Sequence, residues 1–190
     1  MINKSSLYDT AIEKFDERNS KDPNKISVDG KGIAKELLYA QRTTEMLANY
    51  WPEADETVWL AARSHHIARW EKPRSLYPMD RSGYMRWRKE LAYHHAKLAD
   101  FILDEVGYDE VTRAKVSRLI TKRGIKKEQD VQILEDVICL VFMKYYLEDF
   151  VAKHDPEKSI GILRKTMSKM SEKGRNEADK YLGDEFKALL

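Results

Sequence analysis

Residues 84–106, YMRWRKELAYHHAKLADFILDEV, decide the expected fold because their apolar residues recur at the spacing of an α-helix. One stripe of this helix is formed by Leu91, His95, Leu98, Ile102 and Val106. Gly107 follows directly and is a common helix stop. The stretch therefore predicts a long amphipathic helix from about Tyr84 to Val106, with a histidine on its buried face.

The remaining sequence repeats this helical pattern, and no segment shows sustained alternation of period two. We therefore predict an all-α bundle. Further helices are predicted over residues 7–18, 33–51, 55–70, 109–124 and 130–151, with two short ones after Pro156. Residues 19–32 and 71–83 are rich in turn formers and are predicted loops. We expect one helical domain over residues 1–152 and a C-terminal helical extension over residues 153–190, packed on the same domain.

The composition is typical of a folded protein without a strong overall charge. Hydrophobic residues make up 42% of the 190 residues and charged residues 35%, which suits a real core and a well-solvated surface. The net charge of +2 excludes a global field that favours nucleic acid, so any basic site must be local. The single cysteine, Cys139, lies in an apolar run, which leaves no disulfide within the chain and favours a reducing compartment. Without a signal sequence or an apolar run long enough to span a bilayer, we expect a cytoplasmic protein with no membrane partner.

Four of the five histidines form two doublets, His65-His66 and His94-His95. Adjacent residues on a helix diverge by about 100 degrees, so only one histidine of each doublet can face the core. The apolar stripe of each predicted helix selects the second histidine of its doublet. Imidazoles in a helical core are typical of a metal site or an acid–base centre, and equally of a structural polar network.

An acidic doublet, Glu135-Asp136, lies in the most apolar stretch of the sequence. A buried carboxylate is strongly unfavourable unless it meets a cation, a metal or a set of hydrogen-bond donors, and the imidazoles of the other helices are candidate partners for Asp136. Glu135 is expected at the rim. The candidate catalytic residues are His66, His95, Asp136 and Glu135. A His–Asp hydrogen bond that only locks the helices together explains the same pattern equally well.

Arginines alternate with aromatic residues in residues 71–89, between the two histidine doublets. Guanidinium groups bind phosphate in a bidentate manner, and aromatic faces stack on bases. Because the segment joins the two histidine-bearing helices, we expect it beside the candidate site, where it would suit a phosphorylated or nucleotide ligand. The candidate substrate-binding residues are Arg69, Arg74, Arg81, Tyr84, Trp87 and Arg88. The alternative is that the aromatics anchor a helix start and the arginines are solvated or paired with the many acids. A second basic stretch, residues 113–127, has no aromatics and is predicted to be a solvated face.

The sequence resembles a family of uncharacterised bacterial and fungal proteins, a domain of unknown function. The resemblance covers roughly residues 7–150 and implies no known activity. It rests on Asp22-Pro23, Glu36, Tyr39, Arg42, the HIARW run at 66–70, Pro73-Arg74, Tyr77-Pro78, Arg81, Gly83-Tyr84, Trp87-Arg88, His95-Ala96, Gly107-Tyr108, the LEDV run at 134–137 and the CLVF run at 139–142.

More distantly, the order of elements is similar to the HD-domain superfamily of metal-dependent phosphohydrolases. There a first-helix His, a His-Asp pair and a late Asp bind a divalent metal. Residues 60–67 are similar to the stretch that holds the pair, and residues 134–137 to the late-Asp helix. The resemblance implies an HD-domain-like helical bundle with additional C-terminal helices, and a divalent metal such as Mn, Fe or Zn. The implied metal ligands are His65, His66, His95 and Asp136.

Two of the four usual ligand positions differ from the HD pattern. Tyr39 stands where the first His is expected, and it is therefore counted with the substrate-binding residues. His66 replaces the Asp of the pair. The implied site is either an altered metal site or a pocket that has lost its metal.

Two functions of different classes follow from these residues. The first is an HD-like phosphohydrolase acting on a small phosphorylated or nucleotide substrate. The second is a non-catalytic helical module that binds a nucleotide or RNA through an Arg/aromatic pocket. A scaffold with a structural His–Asp network is a third reading of the same residues.

Overall fold

The computed structural model describes residues 4–122, 124–125, 127–183 and 186, and this part of the chain is mainly α-helical with one two-stranded sheet. The all-α prediction is therefore confirmed apart from the small sheet. Two compact units are present, Met1–Arg123 and Gly124–Leu190. The predicted domain division after residue 152 stays a prediction. None of the described helices combines the length and the hydrophobicity that crossing a lipid bilayer requires.

The first unit contains five α-helices, a β-hairpin and two short 3-10 turns within its described residues. In chain order they are α1 (Tyr8–Ser20), β1 (Lys25–Val28), β2 (Lys31–Ala34), α2 (Lys35–Tyr50), α3 (Glu56–Ser64), the turns Arg69–Glu71 and Arg74–Leu76, α4 (Arg81–Val106) and α5 (Glu110–Ile120). Helix α3 contacts the other four helices and is buried along most of its length. The chain that leaves α3 therefore starts from the centre of the unit.

The second unit contains four helices within its described residues. They are α6 (Gln129–Tyr145), α7 (Leu147–Ala152), α8 (Pro156–Lys169) and α9 (Glu172–Ala178). Helix α6 packs against the other three. Its burial agrees with its apolar sequence, and the two helices predicted after Pro156 are α8 and α9.

The predicted loop at residues 19–32 is wrong in part, because it contains strand β1 and the start of β2. Lys25 pairs with Ala34 and Val28 with Lys31 in an antiparallel hairpin. The turn residues Asp29 and Gly30 have φ values of +50° and +78°, as a tight hairpin turn requires. Strands of four residues are too short for alternation to stand out in the sequence. Helix α2 accordingly begins at Lys35 rather than near residue 33.

The predicted helix over residues 55–70 is also too long. Helix α3 ends at Ser64, and both His65 and His66 lie in the turn that follows. Ala68 has a left-handed backbone (φ +50°), which interrupts an α-helix. The helical-phase choice of His66 over His65 therefore fails: His65 is 5% exposed, whereas the His66 side chain is 25% exposed.

Helix α4 confirms the prediction for the stretch around residues 84–106, with an earlier start at Arg81. The Asp80 carboxylate accepts a hydrogen bond from the Gly83 N–H (2.6 Å) and so caps the helix. Gly107 ends it with φ +102°. His95 is buried at 2% exposure while His94 is only partly buried, so the choice of His95 is confirmed.

Candidate functional site

Five of the predicted site residues and one further residue, Glu36, meet in the first unit, in a group that we call the imidazole cluster. Its members are Glu36 and Tyr39 from α2, His65, His66 and Arg69 from the chain after α3, and His95 from α4. The His66 ring stacks on Tyr39 at 4.3 Å between centroids and lies 4.3 Å from the His65 ring. The His95 ring is 5.8 Å from that of His66. Two separate segments thus bring three imidazoles together, and α2 adds Glu36 and Tyr39 beside them.

The Nδ1 atom of each clustered imidazole faces an oxygen. His95 Nδ1 is 2.6 Å from the carbonyl oxygen of Ile67, and His65 Nδ1 is 3.3 Å from that of Ala62. His66 Nδ1 is 3.5 Å from a carboxylate oxygen of Glu36. Carbonyl oxygens only accept, so in neutral His65 and His95 Nδ1 carries the proton and Nε2 the lone pair. Arg69 only donates and faces His66 Nε2, so the proton of neutral His66 is also on Nδ1. All three rings therefore have the same tautomer.

The three Nε2 atoms differ in what they meet. Tyr39 Oη lies 3.3 Å from His65 Nε2 and donates to it, and Arg69 Nη1 lies 3.3 Å from His66 Nε2 and donates to it. Within the described residues, the buried Nε2 of His95 has no hydrogen-bond partner. One basic nitrogen of the cluster is thus left open.

Burial lowers the pKa of His65 and His66 well below the ordinary histidine value and that of His95 to about 3. Nearby positive charge, including that of Arg69, lowers all three further. The cluster therefore holds neutral imidazoles at neutral pH, each with one nitrogen that can accept a hydrogen bond.

Glu36 is a member of the cluster to which the sequence assigned no role. Burial, at 4% exposure, raises the pKa of its carboxyl group to about 7, and Arg69, whose Nε lies 4.0 Å away, opposes this rise. The backbone N–H of Glu36 donates to the buried carboxylate of Asp22 (3.0 Å), which fixes the start of α2. The spacing of the residues along α2 could have indicated that Glu36 is buried, because it lies on the same helix face as the buried residues Ala40, Thr43 and Leu47.

The described residues contain no group of three or more His, Cys, Asp or Glu side chains that could hold a metal ion. In the imidazole cluster, Tyr39 and Arg69 occupy two of the three Nε2 atoms, which leaves one nitrogen rather than a ligand set. The residues as placed in this unit do not fit a metal centre. The divalent metal stays a prediction, and no step below is derived through it.

Asp136 and Glu135 lie on α6 in the second unit. The Asp136 carboxylate accepts hydrogen bonds from the Ser171 N–H (2.9 Å), the Ser171 hydroxyl and the Gln132 side-chain amide (2.9 Å). Burial raises the pKa of Asp136, and the hydrogen bonds from Ser171 and Gln132 oppose that rise. A set of donors, one of the three kinds of partner left open by the sequence, is therefore present, and it ties α6 to the start of α9. A role for Asp136 beside the histidines stays a prediction.

Glu135 is buried at 3% exposure, so the expectation that it lies at the rim is wrong. Its carboxylate is 3.7 Å from Lys169 Nζ. The ion pair with the flexible side chain of Lys169 explains how the charged Glu135 can be buried, although its charge had suggested a position at the rim.

Trp87 and Arg69 connect the Arg/aromatic segment to the imidazole cluster. The Arg69 guanidinium lies over the Trp87 ring, 5.1 Å from its centroid. The Trp87 indole N–H donates to the Lys72 carbonyl (2.8 Å), which anchors the start of α4. Trp87 therefore orients Arg69 and also has the anchoring role that was the alternative.

The other predicted binding residues of this segment form what we call the Arg/aromatic surface. It consists of Arg74, Arg81, Tyr84 and Arg88, of which all but Arg74 are exposed. The guanidinium groups of Arg74 and Arg88 each lie 5.9 Å from the Tyr84 ring centroid. Arg74 also donates to the Tyr77 carbonyl (3.0 Å). These contacts lie within the segment itself, and ligand binding by this surface stays a prediction.

The chain was also compared with known proteins. No curated protein and no solved structure matches it. The similarity to the HD-domain superfamily therefore stays a prediction. A family model described as "Domain of unknown function (DUF4202)" matches residues 9–189, nearly the whole sequence, and the chain belongs to this family.

Proposed function

We propose that the first unit hydrolyses a small phosphorylated or nucleotide substrate at the imidazole cluster. In this proposal His95 handles the proton and Arg69 binds the phosphate, while His66 holds Arg69 in place before the phosphate binds. The observation that carries it is the open Nε2 of His95, a buried basic nitrogen beside a partly exposed arginine.

An open buried acceptor argues for a ligand rather than for a purely structural network. Leaving a buried polar atom without a hydrogen bond costs about 1–3 kcal/mol. A network that only held the helices together would use both nitrogens of His95, as those of His65 and His66 are used. A ligand hydroxyl or a water that reacts would remove the cost.

Arg69 has the properties of a phosphate-binding residue. Its side chain is 31% exposed, so an anion can reach it, and Trp87 supports the plane of its guanidinium. A hydrogen bond from Arg69 to a phosphate dianion joins two opposite charges, so it is stronger than the bond that Arg69 donates to neutral His66. Phosphate binding would therefore draw Arg69 from His66 and leave a second imidazole Nε2 open.

The reaction follows from these groups. A water molecule attacks phosphorus and gives its proton to His95 Nε2, while the bond between phosphorus and the leaving oxygen breaks. The leaving oxygen then takes the proton from His95, so the products are inorganic phosphate and a hydroxyl compound. The negative charge of the bound phosphate raises the low pKa of His95 towards the range in which it is an effective base.

The experiment is a phosphate-release assay on a panel of sugar phosphates, nucleotides and nucleotide sugars, run with a chelator and with added Mn, Fe or Zn. The variant is His95→Asn, whose amide N–H can still donate to Ile67 but has no basic nitrogen. The matched control is His94→Asn on the same helix, where His94 Nε2 is 3.3 Å from Glu71. Asp136→Asn and Glu135→Gln test the predicted roles of these two acids in the same series.

We expect at least one substrate to release phosphate, with a loss of about 100-fold in His95→Asn, the range typical of general-base removal. His94→Asn should keep the wild-type rate. Equal rates for His95→Asn and wild type would contradict the proposal. The metal additions test the predicted cofactor separately.

A second candidate is a non-catalytic module for nucleotides or RNA. It is favoured by the Arg/aromatic surface, where the 41%-exposed Tyr84 has two guanidinium groups over its ring. No phosphate release, together with thermal stabilisation by a nucleotide or RNA that Tyr84→Ala abolishes, would favour this candidate. A cytoplasmic location stays a prediction under either function.

A further inference from the structure

One buried peptide unit lies between α1 and the imidazole cluster. The carbonyl of Ile67 and the N–H of Ala68 belong to the same peptide bond. The carbonyl accepts from His95 Nδ1 (2.6 Å), and the N–H donates to the side-chain oxygen Oδ1 of Asn19 (3.1 Å). This peptide is therefore held at both ends by side chains from two different helices.

The backbone at this peptide needs such support. Ala68 has φ +50° and ψ +36°, a left-handed conformation that costs a residue with a Cβ about 1–2 kcal/mol. A rotation of the peptide plane would relieve the conformation and turn the Ile67 carbonyl away from His95. Asn19 opposes the rotation because the buried Ala68 N–H would lose its acceptor.

Asn19 is well placed for a fixed role. It is fully buried near the end of α1 at 0% exposure. Within the described residues, its side-chain nitrogen Nδ2 has no hydrogen-bond partner, whereas its Oδ1 accepts from the Ala68 N–H. A buried amide with one end unused is costly. The bond that it does make therefore explains why a polar residue stands there.

We propose that Asn19 is a positioning residue of the imidazole cluster, which fixes the Ile67–Ala68 peptide and thereby the tautomer and orientation of His95. An acceptor at the N–H end of a peptide polarises its carbonyl and strengthens the bond from His95 Nδ1. His95 Nε2 is then the unprotonated nitrogen and points away from the Ile67 carbonyl. The tautomer is a property of the folded protein, while its use in hydrolysis rests on the proposed function.

The direct test is ¹⁵N NMR of the His95 ring at neutral pH, with His95→Asn used to assign its signals. In the wild type, Nδ1 should be protonated and Nε2 unprotonated, with one tautomer populated. Asn19→Leu removes the acceptor at nearly constant size and should give a mixture of tautomers. It should also speed hydrogen exchange at the Ala68 amide.

Two variants separate this effect from general destabilisation. Asn19→Asp keeps an oxygen acceptor at the same place, but it replaces the unpaired Nδ2 by a second oxygen and adds a buried negative charge. Its stability should therefore fall, while the His95 tautomer of the folded variant should match the wild type. Thr43→Val removes another fully buried polar group, whose hydroxyl donates to the Tyr39 carbonyl within α2 (2.7 Å), and should leave the His95 tautomer unchanged. A single wild-type tautomer in folded Asn19→Leu would overturn the proposal. If Asn19→Leu does not fold, a mixture of tautomers in Asn19→Asp would overturn it as well.

Activity provides the second measurement. On any substrate found in the phosphate-release assay, Asn19→Leu should lower kcat by about 10-fold or more, as loss of an orienting partner does, with KM nearly constant. If the wild type hydrolyses nothing but the tautomer responds as described, the proposed function fails and the positioning role stands. An unchanged tautomer together with reduced activity would overturn the positioning role alone.

Discussion

At the scale of single residues, burial keeps His95 neutral far below the pH at which an exposed imidazole gains a proton. Its pKa is about 3 in the folded chain, against about 6.5 when unfolded. Between these values the unfolded state binds a proton that the folded state does not. The contribution of His95 to the free energy of unfolding is therefore fully present above pH 6.5. It is lost progressively as the pH falls from about 6.5 towards 3.

Chemical denaturation of wild type and His95→Asn at several pH values between 4 and 7 tests this linkage. For each unit by which the pH is lowered below about 6.5, the free energy of unfolding of the wild type should fall by about 1.4 kcal/mol more than that of the variant. The comparison cancels other groups, Glu36 among them. Since burial raises the pKa of Glu36 to about 7, its contribution has the opposite sign and is lost as the pH rises through that value. Parallel stability curves for the two proteins would show that burial does not lower the pKa of His95.

At the scale of the elements, the ends of helices decide where the site residues lie. Helix α4 starts where Gly83 passes the carbonyl of Pro78. A Cβ on Gly83 would stand 2.1 Å from that carbonyl oxygen, far inside contact distance. The close approach lets Asp80 cap the helix and sets the position of the Arg/aromatic surface.

Gly83→Ala should therefore destabilise the first unit by about 1–3 kcal/mol, the range for forced overpacking, and lower its melting temperature. Gly32→Ala is the matched control, because a Cβ there meets only Lys25 Cβ at an ordinary 3.8 Å. The control should change stability by less than about 0.5 kcal/mol. Equal effects of the two substitutions would mean that α4 does not start as described.

Helix existence could be predicted from the sequence, and so could the end of α4, which Gly107 marks locally, whereas the end of α3 could not. The stripe from Leu91 to Ile102 repeats over several turns, so it identified α4 and the buried His95 correctly. The end of α3 depends on the left-handed turn at Ala68, which Asn19 and His95 hold from distant parts of the sequence. Such a tertiary cause leaves no local signal, and the choice between His65 and His66 failed for that reason.

At the scale of the whole molecule, the family match over residues 9–189 includes both compact units, so the family is defined by more than the imidazole cluster. Burial of an acid in the most apolar helix was predictable from hydrophobicity alone. The partners of Asp136 were not, because Ser171 follows 35 residues later and its place is set by how α9 packs. The grouping of Glu36 with the imidazoles likewise depends on the packing of α2 against α3.

Titration with inorganic phosphate, followed by ¹⁵N NMR of the histidine rings, tests the central claim that the imidazole cluster is a phosphate site. The Nε2 signals of His66 and His95 should shift and saturate in the wild type. Arg86→Gln, which removes an exposed arginine paired with Glu90, should behave in the same way. Arg69→Gln should abolish the saturable shift. A wild-type spectrum that does not respond to phosphate, or an unchanged response in Arg69→Gln, would contradict the account.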